Sequence, residues 1–309
     1  MKFSAILLLA AALIVGCEGP NQDGPQSLEE TMILVTGATG TQGGAVAREL
    51  LNRGYAVRGL TRNPLSENAK AMSEIGVEMV QGDFDDAASL VAAMNGAYGV
   101  FAVTDFWEHG YDIEIRHGKQ LVDAALAADV EHFVFTSVVS ATENTGIPHF
   151  DSKGAIENYL RDSGMGFSIV RPVEFMDNVR YIRESILSGV YLDPRDSDRS
   201  HQWIAVSDIA YFVGEAFDNP EDWRGKAVDV AGDQLTIAEF VDTLSRAAGV
   251  DVHYQQLTWP AYQERLGEEM AIMLRWFDEH GYQVDVEALR ADHPNLLTFE
   301  DYLNNFDWD

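Results

Sequence analysis

Three glycines near the beginning of the chain have the spacing of a phosphate-binding turn. Gly37, Gly40 and Gly43 form a G-x-x-G-x-x-G pattern between a short apolar run, residues 33–35, and a helical pattern over residues 45–51. Glycines let the backbone turn tightly and approach a pyrophosphate, and a helix N-terminus offers it free N–H groups. Strand, glycine turn and helix in this order predict a dinucleotide site, although a purely structural turn would also use glycines.

The end of the second predicted strand bears on which dinucleotide binds. Proteins that bind NAD(H) commonly carry an Asp or Glu about 20 residues after the glycines, where the carboxylate bonds the ribose 2′-hydroxyl. Here residues 56–62 form a strand and its exit, and Arg62 and Asn63 occupy that place. The planar guanidinium of an arginine suits a 2′-phosphate. The pattern therefore favours NADP(H) over NAD(H); the alternative is an ordinary surface arginine.

These residues belong to a longer alternation of strands and helices. Further β-rich apolar runs occur at residues 77–80, 99–104, 132–137, 167–172 and 227–231, and helical patterns at residues 87–94 and 118–128 separate some of them. Such alternation indicates parallel strands with crossover helices. We therefore predict an α/β fold, a doubly wound parallel sheet of the Rossmann type. A stripe of apolar residues from Trp259 to Phe277 predicts buried helical packing in the C-terminal region.

Several segments of the chain resemble one family when they are taken together. MILVTGATGTQGGAVARELL, LTRNP, GDFDD and RPVEFMDNV occur in this order, followed by VSDIA and LTFEDYL. The set is similar to the NmrA-like proteins, atypical members of the short-chain dehydrogenase/reductase superfamily, over residues 32–309. The resemblance implies an NADP-binding Rossmann domain over residues 32–175. It also implies a smaller, mostly helical substrate region over residues 176–309, with one or two strands returning to the sheet.

The resemblance also implies a set of residues around a cleft between the two regions. The implied cofactor contacts are Gly37, Thr39, Gly40, Gln42 and Gly43 at the phosphate turn, Arg62 at the 2′-phosphate, Asp83 and Phe84 at the adenine, Thr104 and Ser137 at strand ends, and Lys153 near the nicotinamide ribose. Further residues expected to line the cleft are Phe106, Trp107, Phe175 and Asn178.

The catalytic prediction depends on one substitution relative to the superfamily. Its reductases use a tyrosine with a lysine four residues later, and here His149 stands four residues before Lys153. If this stretch is helical, the two side chains share a face. A histidine can donate a proton near neutral pH, so His149 is a candidate general acid. The alternative is a helix-start residue in the cleft with no chemical role.

Three function classes follow from these residues. The first is an NADPH-dependent reductase of quinone-like or carbonyl acceptors, and the second is a non-catalytic NADP(H)-sensing regulator. The third, an interaction protein without cofactor, disagrees with the intact glycines and Arg62. No constellation of metal-ligating residues is recognisable in the sequence, so no metal is predicted. The formal net charge of −29 disfavours nucleic acid as a partner, because that binding depends on Lys and Arg contacts to phosphates.

The first 31 residues have the pattern of a signal that targets a protein out of the cytoplasm. Residues 5–15 form an apolar run of the length found in signal peptides, which we assign to residues 1–16. Cys17, the single cysteine, follows in a context similar to a bacterial lipobox, and residues 17–31 resemble a polar tether. A lipid anchor at Cys17 in the bacterial cell envelope is therefore expected. The alternative is translation from Met32, which would give a cytoplasmic protein.

Overall fold

The computed structural model describes residues 28–308. The predicted signal peptide, the lipid anchor at Cys17 and most of the predicted tether lie outside the described residues. Residues Leu28–Glu30, at the end of that tether, form a short 3-10 helix. The Thr31 carbonyl then accepts a hydrogen bond from the backbone N–H of Ala56, at 3.2 Å, so this end of the segment is joined to the folded domain.

The chain has twelve strands in the described region. They are β1 Met32–Val35, β2 Ala56–Thr61, β3 Glu78–Gln81, β4 Gly99–Ala102, β5 His132–Thr136, β6 Phe167–Pro172, β7 Glu174–Phe175, β8 Val190–Asp193, β9 Ser200–Ile204, β10 Ala227–Val230, β11 Asp233–Thr236 and β12 His253–Gln256. Seven of them form a parallel sheet in the order β10-β6-β5-β4-β1-β2-β3. The predicted doubly wound fold is confirmed, including the strand that returns to the sheet as β10.

Fourteen helices accompany these strands in residues 28–308. They are α1 Thr41–Asn52, α2 Glu67–Glu74, α3 Ala87–Met94, α4 Phe106–His109, α5 Tyr111–Ala127, α6 Pro148–Asp162, α7 Val179–Leu187, α8 Val206–Asp218, α9 Pro220–Trp223, α10 Ile237–Ala248, α11 Trp259–Leu266, α12 Glu268–Glu279, α13 Val286–Asp292 and α14 Phe299–Leu303. A second 3-10 helix, Met176–Asn178, precedes α7.

The sheet order fixes where a ligand can bind. The central strand β1 lies between β4 and β2. The chain continues from β1 to β2 and β3 on one side and then crosses over to β4, β5 and β6 on the other side. In open α/β sheets the crevice at such a switch point, outside the carboxyl ends of the strands, is the usual ligand site. The glycine turn begins directly after β1, at Gly37, and is therefore at the mouth of this crevice.

The core explains why the strands form as they do. Strands β4 and β5 are buried along their whole length, and Ile33, Leu34 and Val35 of β1 have no exposed surface. Parallel strands covered on both faces by helices need such continuous apolar runs. Most of the residues that form this sheet could therefore be recognised from the sequence.

The region after β6 adds two small sheets to its helices, which the sequence patterns did not predict. Strands β11, β9 and β7 form one sheet, and β12 and β8 form the other. A separate apolar cluster there includes Trp203, Phe240 and Phe299. As predicted, the apolar stripe over α11 and α12 is core: Tyr262 and Phe277 are buried in the larger apolar cluster. Among residues 28–308, no helix has the length and apolar character needed to cross a membrane.

Candidate cofactor and active site

The glycine turn has a geometry that only glycine can supply at two of its positions. Gly37 has φ of +61°, in the left-handed region that favours glycine. A Cβ on Gly43 would lie 2.3 Å from the carbonyl oxygen of Gly37, so any larger residue would break the turn. Gly40 is the N-cap of α1 and has no side chain to cap its N–H groups. The start of α1 therefore has free backbone N–H groups of the kind that bind a pyrophosphate.

A cation that the sequence patterns did not single out lies beside this helix start. Arg180, near the beginning of α7, donates from Nη1 to Oγ1 of Thr41 at 2.8 Å. Its guanidinium also contacts the ring and hydroxyl of Tyr181. Arg180 thus places positive charge at the N-terminus of α1, where a pyrophosphate would carry negative charge. Asn178, predicted to line the cleft, is exposed and lies two residues before it.

The carboxyl end of β5 carries one hydroxyl that has a hydrogen-bond partner and one that has none among the described residues. Gln42 donates from its side-chain amide to Oγ1 of Thr136 at 2.7 Å, so this predicted cofactor residue also joins α1 to β5. The next residue, Ser137, is buried, yet its hydroxyl has no hydrogen-bond partner among the described residues. Buried hydroxyls are normally satisfied. The Ser137 hydroxyl, at the carboxyl end of the sheet, therefore retains an unused capacity for a hydrogen bond.

Arg62 forms an ion pair with a carboxylate that is distant in the sequence. Its guanidinium pairs with the Glu108 carboxylate, with N–O distances of 3.1 and 3.4 Å. Both side chains are largely exposed, at 65% and 48%. Hydrogen bonding from Arg62 holds the pKa of Glu108 below its usual value. The sequence shows no carboxylate next to Arg62, but the fold supplies one from α4.

The predicted adenine-edge residues lie at the end of the neighbouring strand. Asp83 and Phe84 follow β3, and the Gln81 side chain of that strand donates to the Arg62 carbonyl at 3.4 Å. Asp83 is exposed, and its carboxylate accepts from the backbone N–H of Asp85 within its own turn. Because β2 and β3 are parallel neighbours, Asp83 and Phe84 lie at the same carboxyl end of the strands as Arg62.

A buried ion pair lies under the middle of the crevice. Lys153 on α6 donates to Glu114 on α5 at 2.7 Å, and Thr104 donates to the same carboxylate at 2.8 Å. Ser152 also hydrogen-bonds this carboxylate, which has no exposed surface. Burial by itself would raise the pKa of Glu114, but Lys153 and the hydrogen bonds hold it below its usual value. Both Lys153 and Thr104 are therefore engaged with a carboxylate that the sequence analysis missed.

His149 has a carboxylate partner as well. The predicted helix is confirmed, since α6 begins at Pro148 and carries both His149 and Lys153. The Nδ1 atom of His149 lies 2.6 Å from Oε1 of Glu269 on α12. Because a carboxylate can only accept, Nδ1 carries the proton and Nε2 of the neutral ring is an acceptor. Burial lowers the pKa of His149 below its usual value, and the attraction of Glu269 offsets this only in part.

Aromatic rings surround the imidazole of His149. The ring centres of Trp107 and Phe106, both on α4, lie 5.0 and 5.5 Å from it, and that of Phe150 lies 4.8 Å away. Trp107 is 60% exposed, whereas Phe150 is buried in the core. Phe175, also predicted for the cleft, is half-buried and packs against the same core. The site thus presents an open aromatic surface next to a histidine.

Comparison with known proteins agrees with this architecture. The model of the NmrA-like family matches residues 29–303. An NmrA-like family domain-containing oxidoreductase of Aspergillus versicolor is 34% identical over 240 residues, which are 68% of this chain and 67% of that protein. The chain belongs to the NmrA-like family.

Two solved structures are also similar to this chain. The NADPH-dependent quinone oxidoreductase QOR2 of Escherichia coli, complexed with NADPH, has a TM-score of 0.74 and 23% identity, covering 88% of this chain and 98% of that one. NmrA, a negative transcriptional regulator in complex with NADP, has a TM-score of 0.74 and 21% identity, covering 91% and 99%. At these identities the two structures support the fold.

In this NmrA-like chain, four functional partners escaped the sequence analysis: Glu108, Glu114, Arg180 and Glu269. Glu108, Glu114 and Glu269 lie 46, 39 and 120 residues from Arg62, Lys153 and His149, and Arg180 lies 139 residues from Thr41. No local pattern indicates these pairings. The rings of His109 and His117 lie 5.0 Å apart. No group of three His, Cys, Asp or Glu side chains suited to a metal ion occurs in the part of the chain that the structure describes.

Proposed function

We propose that the protein binds NADP(H) in the crevice at the carboxyl end of the sheet. The glycine turn at the start of α1 supports binding of the pyrophosphate, and Arg180 adds a cation beside it. Arg62 at the end of β2 is the candidate partner of the 2′-phosphate. The unpartnered hydroxyl of Ser137 is a candidate contact for the nicotinamide half.

We further propose that the protein is an NADPH-dependent reductase of flat, quinone-like acceptors. The observation that carries this proposal is the aromatic surface of Trp107 and Phe106 beside His149. An exposed tryptophan offers a conjugated acceptor a face for stacking. QOR2, which shares the fold, is a quinone oxidoreductase by its description, and the Aspergillus versicolor relative is described as an oxidoreductase.

The protonation state of the site favours quinones over simple carbonyls. Bound NADPH would supply a hydride. A carbonyl acceptor also needs a proton at its oxygen, and the neutral ring of His149, with its lowered pKa, is a poor donor at neutral pH. The anion formed from a quinone tolerates its charge and can take its proton from water. In this role His149 and Trp107 orient the acceptor and shield the reacting face from water.

A second candidate function has its own observation. In the superfamily's reductases the cation of the lysine favours a tyrosinate, but here Glu114 neutralises Lys153 and a histidine replaces the tyrosine. This arrangement would suit a protein that binds NADP(H) without turnover. NmrA, described as a negative transcriptional regulator, shares the fold. The NADP(H)-sensing regulator is therefore the alternative to the reductase.

Turnover with a panel of acceptors distinguishes the two functions. NADPH oxidation by the purified chain is followed with quinones, conjugated dyes and aldehydes, and NADPH binding is titrated in parallel. The reductase predicts oxidation with quinones and little with aldehydes. Tight NADPH binding with no oxidation by any acceptor would favour the sensor, and absence of NADPH binding would reject both.

A pair of variants locates the acceptor. Trp107→Ala should raise the KM for a quinone and leave NADPH binding unchanged, because Trp107 lies on α4 next to His149. The matched control is Leu126→Ala, which removes an exposed apolar side chain at the end of α5. Leu126 precedes β5 and therefore lies at the amino end of the strands, away from the crevice. Equal KM values for both variants would contradict the placement of the acceptor at Trp107.

A further inference from the structure

The Arg62–Glu108 ion pair crosses the crevice in front of the central strand. Arg62 follows β2, and Glu108 lies on α4, which follows β4. Strands β2 and β4 pair with opposite edges of β1. A contact between the segments after β2 and β4 therefore passes in front of the carboxyl end of β1, where the glycine turn begins. A dinucleotide that lies along this crevice has to pass the pair.

The chemistry of the pair makes it open to competition. The Arg62 guanidinium holds Glu108 through two nitrogens, but both groups are exposed to solvent. Exposed ion pairs of this kind contribute little free energy. A phosphate group carries more charge than a carboxylate and matches the same fork of N–H donors. A 2′-phosphate can therefore take Arg62 from Glu108, whereas a ribose with a free 2′-hydroxyl has no comparable acceptor.

Loss of the contact between Arg62 and Glu108 would change the position of side chains at the candidate active site. Helix α4 has only four residues, Phe106–His109, so Glu108 and Trp107 move together. The ring of Trp107 packs 5.0 Å from that of His149. Gly110, directly after the helix, has φ of +77°, a conformation that favours glycine.

We propose that Glu108 is a specificity-determining residue that competes with the 2′-phosphate of NADP(H) for Arg62, and that this exchange repositions Trp107 at the active site. The inference rests on the proposed NADP(H) site. Glu108 then has two effects. It makes the affinity of the site for the 2′-phosphate weaker than Arg62 alone would give, and its release from Arg62 moves α4 when NADP(H) binds but not when NAD(H) binds.

Two adenosine fragments test the first effect without the nicotinamide or any turnover. Binding of 2′,5′-ADP (adenosine 2′,5′-bisphosphate) and of 5′-AMP, which differ only in the 2′-phosphate, is measured by calorimetry. Glu108→Gln should bind 2′,5′-ADP about two- to fivefold more tightly than the wild type, the range expected for an exposed ion pair. Its affinity for 5′-AMP should not increase.

A matched variant separates this effect from the general acidity of the chain. Glu74→Gln removes the same charge from an exposed position on α2, where the structure gives the side chain no ion pair. It should bind both fragments like the wild type. The double variant Glu108→Gln, Arg62→Ala should lose the gain, because no guanidinium is left to compete for.

Tryptophan fluorescence tests the second effect. Addition of 2′,5′-ADP should change the emission of the wild type, and Trp107→Phe should abolish the change; 5′-AMP should produce none. Equal affinities of Glu108→Gln and Glu74→Gln for 2′,5′-ADP would overturn the role of Glu108, and identical signals from both fragments would overturn the coupling to Trp107. Failure of every variant to bind either fragment would instead reject the NADP(H) site, and the inference with it.

Discussion

Replacement of Lys153 by methionine should lower the free energy of unfolding of the protein, whatever its effect on catalysis. Lys153 is the cationic partner of Glu114, whose carboxylate is completely buried between α5 and α6. Methionine keeps most of the side-chain length and leaves the carboxylate in place without its countercharge. Removal of one partner of a buried ion pair typically costs about 3–5 kcal/mol, a large part of the roughly 5–15 kcal/mol that stabilises a domain.

The loss of stability in Lys153→Met should depend on pH, in a direction set by the pKa of Glu114. In the wild type this pKa is lowered, so the pair stabilises the fold above the unfolded-state value of about 4.3 and the contribution is lost as pH falls through the folded-state pKa. In Lys153→Met burial dominates and raises the pKa. The variant then loses stability as pH rises above about 4.3, so its deficit should be larger at pH 8 than at pH 5.

Urea unfolding of the wild type and the variant at the two pH values measures this deficit. Lys70→Met, which removes an exposed lysine on α2, is the matched control and should change the free energy of unfolding by no more than about 0.5 kcal/mol. Glu114→Gln added to Lys153→Met should recover much of the loss. A deficit for Lys153→Met that is below about 1 kcal/mol, or equal at both pH values, would refute the assignment of a buried charged pair.

Four other predictions concern the cofactor, the histidine and the N-terminus. Arg62→Ala should weaken NADPH binding by about 1.5–3 kcal/mol and NADH binding little, as measured by titration; equal losses would contradict the 2′-phosphate contact. Gly43→Ala should abolish NADPH binding, because its Cβ would lie 2.3 Å from the Gly37 carbonyl oxygen; unchanged binding would reject the turn as the phosphate site. If His149 acts as the general acid toward any acceptor, the rate should fall as pH rises through a pKa below 6.5, and His149→Ala should lower it about 10²–10⁴-fold and remove that dependence. Cys17→Ser should prevent lipid attachment and move the protein out of the membrane fraction of its host, whereas a cytoplasmic protein that begins at Met32 would show that the anchor was misassigned.

The residues whose roles depend on their neighbours in the chain could be predicted from the sequence. The glycine turn, its flanking strand and helix, and the face shared by His149 and Lys153 follow from local spacing, because helix and strand periodicity fix which residues lie together. The continuous apolar runs of β1, β4 and β5 likewise indicated a sheet covered on both faces. The fold and the start of the crevice were therefore determined by short stretches of sequence.

Only the tertiary structure decided what those residues contact. Glu108 is 46 residues from Arg62, Glu114 is 39 from Lys153, and Glu269 is 120 from His149. In each case the partner is one of the chain's 50 acidic residues, and nothing in its local sequence separates it from the rest. The packing of α4, α5 and α12 at the carboxyl end of the sheet selects these three carboxylates. Because these carboxylates form ion pairs with Arg62 and Lys153 and partly offset the lowering of the His149 pKa by burial, the chemistry available to the three residues was decided by the fold.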